Sequence, residues 1–238
     1  MPLILSIETS EKLCSVALAD GLQILGSEAS TEDKSHASSL TLLIDKLLHN
    51  CKISYEQLNA VAVGKGPGSY TGLRIGVSTA KGICYSLKIP LIAVDTFTIL
   101  VNEFIISEFY SKNKKTFDSA ESMICAMIDA RRMEVYRRFF DSAFNATSDI
   151  EAEVINSTSY DNLLKEKRIY FLGSGADKLP NIIVSDNAFF VNNIRPHARS
   201  MCKAALAKFE ANEVEDVAYF EPFYLKDFVA TISKKKVF

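Results

Sequence analysis

The sequence predicts an α/β protein folded as two related lobes, and three observations carry that reading. Three strands in succession open the chain and give way to helices alternating with strands. A glycine-rich segment from Gly64 to Gly76 joins a strand to a helix. An acid ends a strand twice, at Glu8 and again at Asp129, and each time a turn and a second strand follow, which is a weak internal repeat. The chain has 238 residues, which suits one large domain or two small lobes and is long enough to bury a core.

Each element has its own signal. Leu3-Ile4-Leu5-Ser6-Ile7 is a nearly continuous apolar run, as in a strand covered on both faces. Cys14 to Leu18 forms the second strand, and Asp20-Gly21 makes a tight turn into a third, Gln23 to Ala29. A helix follows from about Ser35 to Asn50, where Leu40, Leu43, Ile44, Leu47 and Leu48 recur at helical spacing. Asn59 to Gly64 is strand, Ser69 to Leu87 helix, and Pro90 to Val94 another buried strand. The order βββαβα is that of the half-unit of the RNase-H-like / actin-like ATPase (ASKHA) fold. Residues 1–105 make the N-terminal lobe, with the helices expected to dock a partner, and 106–238 the C-terminal lobe.

In the second half, a connecting helix is expected over Thr98 to Tyr110, and the polar residues 111–121 read as a loop or lobe boundary. Met123 to Asp129 and Glu134 to Asp141 form a hairpin. A strand over Glu151–Ile155, a helix over Tyr160–Lys167, a strand over Arg168–Leu172 and a helix from about Pro196 to Ala211 follow. The tail Val229–Phe238, with Lys234-Lys235-Lys236, is expected to be mobile or to pack loosely back on the first lobe.

Composition narrows the function classes. Basic residues number 27 and acidic residues 29, a net charge of −2. A protein that binds nucleic acid alone usually carries a basic excess, so any RNA role needs a partner to supply positive surface. Five cysteines without a CxxC exclude a zinc knuckle or a redox motif and read as reduced core residues. His36, His49 and His197 are scattered and form no HxxxH or HExxH motif, so no metal site is expected. No apolar run approaches the length of a membrane span, and the first residues read as a strand, not a signal peptide. A cytoplasmic protein is expected.

The glycine segment is the most informative stretch. It is neither a Walker loop nor GxGxxG, yet its backbone N–H groups at a helix start would suit an anion. Gly66 and Gly68 form the loop. Gly72, Gly76 and Gly82 lie in the helix, where each costs about 1 kcal/mol of propensity against alanine. Gly72, Gly76 and Ala80 make a small-residue stripe that permits close backbone approach. Glu8, Asp129, Arg131, Gly173 and Gly175 are the candidate nucleotide or anion contacts. In ATPases of this architecture an acid at each strand end coordinates Mg²⁺. Here the second turn, Ala130-Arg131-Arg132-Met133, has no glycine and carries three long side chains. Its arginines would hold an anion by charge, or form a structural ion pair with Asp129. The Gly173-Ser174-Gly175 turn equally fits a plain connection.

Taken together, Ile7-Glu8-Thr9-Ser10, Gly66 to Gly76, Ala80-Lys81-Gly82, Ile89 to Thr96, Asp129 to Tyr136 and Glu221-Pro222-Phe223-Tyr224-Leu225-Lys226 resemble the TsaB (YeaZ) family. Its relative TsaD shares the early strand and the glycine segment but places a metal-binding histidine pair, in a pattern like HMEGH, after the strand that ends here at Val94. This chain reads Thr96-Phe97-Thr98-Ile99-Leu100 there. The resemblance therefore implies the non-catalytic paralogue, a scaffold in the pathway that makes N6-threonylcarbamoyladenosine in tRNA. It implies pairing with a TsaD-like catalytic subunit through helices of the N-terminal lobe, docking of a TsaE-like P-loop ATPase at that pair, and homodimers through the same surface. It implies tRNA met only through the complex, and no cofactor required by this chain, with ATP or ADP and metal held by the partner subunits. Leu40, Leu43, Leu47, Tyr70, Leu73, Arg74 and Val77 are the expected partner contacts. The alternative is a stand-alone ATPase, kinase or metallopeptidase of the actin-like superfamily.

Overall fold

The computed structural model describes residues 1–31 and 36–226. The lysine-bearing tail Val229–Phe238 and Ser35, the expected start of the first long helix, lie outside the described residues.

Two five-stranded sheets share one topology. In the first, β1 (Leu3–Glu8) pairs antiparallel with β2 (Cys14–Asp20), and β2 with β3 (Gln23–Ser30). On its other side β1 pairs parallel with β4 (Ala60–Gly64), and β4 with β5 (Leu91–Val94). The second sheet repeats this. β6 (Ser122–Asp129) pairs antiparallel with β7 (Glu134–Asp141), and β7 with β8 (Glu151–Val154). β6 then pairs parallel with β9 (Arg168–Leu172), and β9 with β10 (Ala188–Val191). The orders β3-β2-β1-β4-β5 and β8-β7-β6-β9-β10 correspond strand for strand. The internal repeat of a strand-ending acid is therefore a repeat of topology.

The first sheet is covered on both faces, as its unbroken apolar strands require. On one side lie α1 (His36–Cys51) and α2 (Tyr70–Leu87), which enclose Leu5, Ile7, Val16, Leu18, Leu40, Ile44, Leu47, Val61, Val63 and Val77. The other side is closed by α6 (Cys202–Glu210), whose Ala205 and Leu206 pack with the preceding Met201 on Ile4, Ala60, Ala62, Ile92 and Val94. The late helix expected over 196–211 thus belongs to the first sheet, and its first turn is a 3-10 turn at Ala198–Met201. From there the chain runs along the same lobe. Glu215 bridges to Leu91, Lys81 donates to the carbonyls of Ala218 and Phe220 at 3.1 and 3.0 Å, and Lys226 pairs with Glu134 on β7.

Three expectations fail here. The single connecting helix expected over Thr98 to Tyr110 is two helices, separated at Ile106 and Ser107. Residues 111–121 are not a loop: after α3 (Thr96–Ile105), α4 (Glu108–Phe117) occupies most of them. Ser107 caps α4, accepting the Tyr110 N–H at 3.2 Å, and Lys114 and Lys115 sit in its last turn, where cations suit the helix dipole. Tyr110 and Phe117 are its buried anchors, in an aromatic cluster with Phe104 and Tyr170, with Phe109 partly buried beside them. A two-residue stripe is too sparse for periodicity to detect. β10 was not expected either, since only four residues form it at a sheet edge. The short helix expected over 160–167 is present as α5 (Asp161–Glu166).

Candidate functional site

At the end of β1 the Glu8 side chain is fully buried. Its Oε1 accepts the Ser10 N–H at 2.6 Å, while Oε2 has no hydrogen-bond partner among the described residues. Room for the carboxyl exists because the neighbouring strand ends in Gly64, where any Cβ would overlap Oε2. Burial pushes the Glu8 pKa up to about 7, against the opposing pull of its bonds to Ser10. The glycine segment forms the lid. Gly68 rests on the Ser10 carbonyl so closely that a Cβ would clash with it, and Ser69 N–H donates to that same oxygen at 2.6 Å. Gly66, at φ +104°, is buried against Leu73 and the Phe223 carbonyl. Gly72 accepts the Thr9 hydroxyl at 2.8 Å, and a Cβ on Gly76 would overlap that hydroxyl. Ser69 caps α2 by accepting Gly72 N–H at 3.2 Å.

Glu8, an expected nucleotide or anion contact, thus lies in the interior, not at an open surface. A magnesium–phosphate group needs an accessible carboxylate and free N–H groups. Glu8 is sealed, and the Ser69 N–H is already bonded within the chain. The glycine stripe serves close packing against Thr9 and Ser10. Gly82 is exposed with open space around it, and nothing in the structure explains it.

The end of β6 is open. The Asp129 side chain is 47% exposed and pairs with Lys178. Its Oδ1 accepts the Arg131 N–H at 2.6 Å, and its own N–H donates to Ser174 Oγ at 2.9 Å. The Ser174 hydroxyl donates in turn to Glu11 in the first lobe's β1–β2 turn, tying the two lobes together. Glu11 carries no sequence signal, and burial raises its pKa. Arg131 and Arg132 lie at φ +73° and +50°, so the β6–β7 turn places two arginines in the left-handed region. The turn closes through Glu134 N–H to the Arg131 carbonyl and Ala130 N–H to the Glu134 carbonyl, each at 3.1 Å. Gly173, at φ +96°, and Gly175 abut β6 at the Met127 carbonyl and Cβ, so these two glycines are required by packing. The structure thus gathers Asp129, Arg131 and the Gly173–Gly175 turn at one sheet end and encloses Glu8 behind the glycine loop.

The expected partner contacts divide in the same way. Leu40, Leu47, Leu73 and Val77 are at most 3% exposed and form the chain's own core, so they do not meet a partner. The correction has a simple cause: a helical stripe marks what a helix buries, not against what. Leu43 is half-buried against that core. Arg74 is exposed, donates to the Tyr70 hydroxyl at 2.8 Å and lies 5.4 Å from its ring centre. The Tyr70 ring packs on Tyr224 at 4.9 Å. Tyr70, Thr71, Arg74, Ile75, Ser78 and Thr79 line a shallow groove along α2. Leu42 (68% exposed) on α1 and Tyr85 (82%) on α2 were missed. Their signal was available as large apolar residues lying off the core stripe.

Among the described residues no group of three or more His, Cys, Asp or Glu side chains could hold a metal ion, and no helix is long and apolar enough to cross a membrane. Thr96 and Leu100, where the TsaD pattern would put histidines, are fully buried.

Comparison with known proteins agrees across methods. A family model described as TsaD, tRNA N6-adenosine threonylcarbamoyltransferase, matches residues 23–234. The chain is 28% identical over 228 residues to the tRNA threonylcarbamoyladenosine biosynthesis protein TsaB of Bacillus subtilis, covering 94% of this chain and 93% of the relative. It is 26% identical over 243 residues to TsaB of Haemophilus influenzae, with coverage of 94% and 93%. The solved structure of YeaZ from Pseudomonas aeruginosa has the same fold, with a TM-score of 0.76 at 24% identity over 94% of this chain and 100% of that one.

Proposed function

Because the chain belongs to the TsaD family of tRNA N6-adenosine threonylcarbamoyltransferases, and resembles curated TsaB proteins along nearly its whole length, we propose that it is a TsaB-type, non-catalytic subunit of tRNA threonylcarbamoyladenosine biosynthesis. The observation that supports the non-catalytic part is the burial of Glu8 against Ser10 and Gly64. The carboxyl that an ATPase of this fold turns toward its metal is here packed in the interior.

In this reading the chain supports a TsaD-like catalytic partner, which docks on the outward face of α1 and α2. Leu42, Tyr70, Arg74 and Tyr85 are the side chains of that face best suited to contact. The same face pairs two copies when the partner is missing, and a TsaE-like P-loop ATPase joins the assembled pair. ATP or ADP and the metal belong to those subunits, this chain requires no cofactor, and tRNA is met in the cytoplasm as part of the complex.

The test is reconstitution. Purified TsaD-like and TsaE-like partners are given threonylcarbamoyl donor and tRNA, with and without this chain, and modified adenosine is counted. Modification should depend on the chain, and the chain alone should turn over no ATP. Arg74→Glu should weaken association with the TsaD-like subunit about tenfold, the range of one well-placed interface residue. Modification that proceeds equally well without the chain would sink the proposal.

A further inference from the structure

We propose that the β6–β7 turn is a contact for the phosphate backbone of RNA, made by Arg131 and Arg132. This rests on the tRNA-modification reading above and adds to it a direct nucleic-acid surface on this chain.

The first ground is the local charge balance. At this end of the second sheet Asp129 is neutralised by Lys178, and Glu134 by Lys226. Glu153, opposite Val135 on β8, shares Arg137 with Glu151, and Glu11, beside Asp129, is bonded to Ser174. Arg131 and Arg132 are exposed and have no ion pair among the described residues. Two guanidinium groups therefore stand at this turn with no carboxylate partner among the described residues, on a chain whose net charge is −2.

The second ground is conformation. A left-handed backbone favours Gly, Asn or Asp over other residues, yet the four-residue turn Ala130 to Met133 carries two arginines there, at +73° and +50°. A strained backbone persists where its surroundings over-determine it, and here they do. Asp129 accepts the Arg131 N–H at 2.6 Å, and Lys178 donates to the carbonyls of Arg132 and Glu134 at 2.8 and 2.9 Å. The turn is a rigid mount for two planar cations, a group whose fork of N–H donors matches phosphate oxygens.

The third ground selects the partner. A protein interface has an apolar centre, but the only long apolar side chain between Asp129 and Glu134 is Met133, half-buried against the chain's own core. Paired guanidiniums without an apolar neighbour suit a polyphosphate backbone, where contacts position the partner without reading sequence.

The experiment uses the full complex of this chain with its TsaD-like and TsaE-like partners, titrated with an unmodified tRNA transcript over a series of salt concentrations. Arg131→Asn/Arg132→Gly gives the turn the residues its backbone prefers and removes both charges. It should fold at least as stably as wild type, bind tRNA about tenfold more weakly, and lower the log–log salt slope by about 1.5. Arg131→Lys/Arg132→Lys should keep most of that slope. Wild-type affinity and slope in the Asn-Gly variant would overturn the proposal. So would a loss of subunit assembly measured without RNA, which would assign the turn to an acidic protein surface. Failure of the wild-type complex to bind tRNA at all would remove the tRNA reading itself, and this contact with it.

Discussion

Glu8 at the end of β1 and Asp129 at the end of β6 hold equivalent places in two sheets of the same topology, and their surroundings differ in every respect. Around Glu8 the chain closes: Gly64 makes room, Gly68 and Ser69 cover Ser10, and the carboxyl is sealed. Around Asp129 it stays open. The acid is about half exposed, its partner is a lysine, and the turn beyond it holds two exposed arginines under backbone strain. Repeating a topology repeats the position of a residue but not its chemistry. What lies across the strand end, a glycine loop or an arginine turn, decides whether a carboxylate is core or surface.

That contrast can be tested by substitutions of opposite sign. The largest effect is expected at Glu8. Its native pKa, about 7, lies above the ordinary 4.5, so the folded state keeps a proton that the unfolded state releases. Wild-type stability therefore falls as pH rises from about 4.5 to about 7 and levels off above. Glu8→Gln should gain on wild type through that window and reach an advantage of about 3 kcal/mol at pH 8, read from urea unfolding at several pH values. A pH-independent difference would show that the carboxyl is not sealed. Next comes Gly68→Ala, which drives a methyl into the Ser10 carbonyl and should cost about 2 kcal/mol as an overpacked site. A neutral result in the same unfolding experiment would refute the lid.

At the other end the signs reverse. Arg131→Asn/Arg132→Gly should raise the unfolding free energy, read from urea unfolding, by about 1 kcal/mol, by relieving the left-handed arginines. Destabilisation instead would mean that the arginine side chains hold the turn. Asp129→Asn should be the smallest change, about 0.5 kcal/mol, since a half-exposed ion pair contributes little. A loss as large as that of Gly68→Ala would erase the distinction between the ends.

Much of this fold was legible because its signals are local. The buried strands of the first sheet, the α1 and α2 stripes and the hairpin turn at Asp20-Gly21 each write a pattern within a few residues. What failed depends on distant partners. Phe117 and Tyr110 make α4 a packed helix only because Phe104 and Tyr170 meet them. The leucines of α1 signal burial equally well whether their own sheet or another protein covers them. The acids were found by position, but the sealing of Glu8 depends on a loop 60 residues away in sequence, at Gly68 and Ser69. The glycine segment was recognised correctly as the informative stretch, and its use for packing became visible only against Thr9 and Ser10. Tyr224, packed on Tyr70, comes from a motif whose order in the sequence says nothing of its place.

The path of α6 has a consequence for synthesis. The ribosome releases β1 to β5 first, yet Ile4, Ala60, Ala62, Ile92 and Val94 wait for Met201, Ala205 and Leu206 before one face of their sheet is covered. The lobe that begins the chain is therefore completed last, after the second sheet has emerged. A nascent chain paused near residue 105 presents bare apolar strands, and such surfaces aggregate or recruit chaperones. Fragments of this protein are best cut with that in mind: the first lobe needs the last helix, supplied in the same chain or added back in trans.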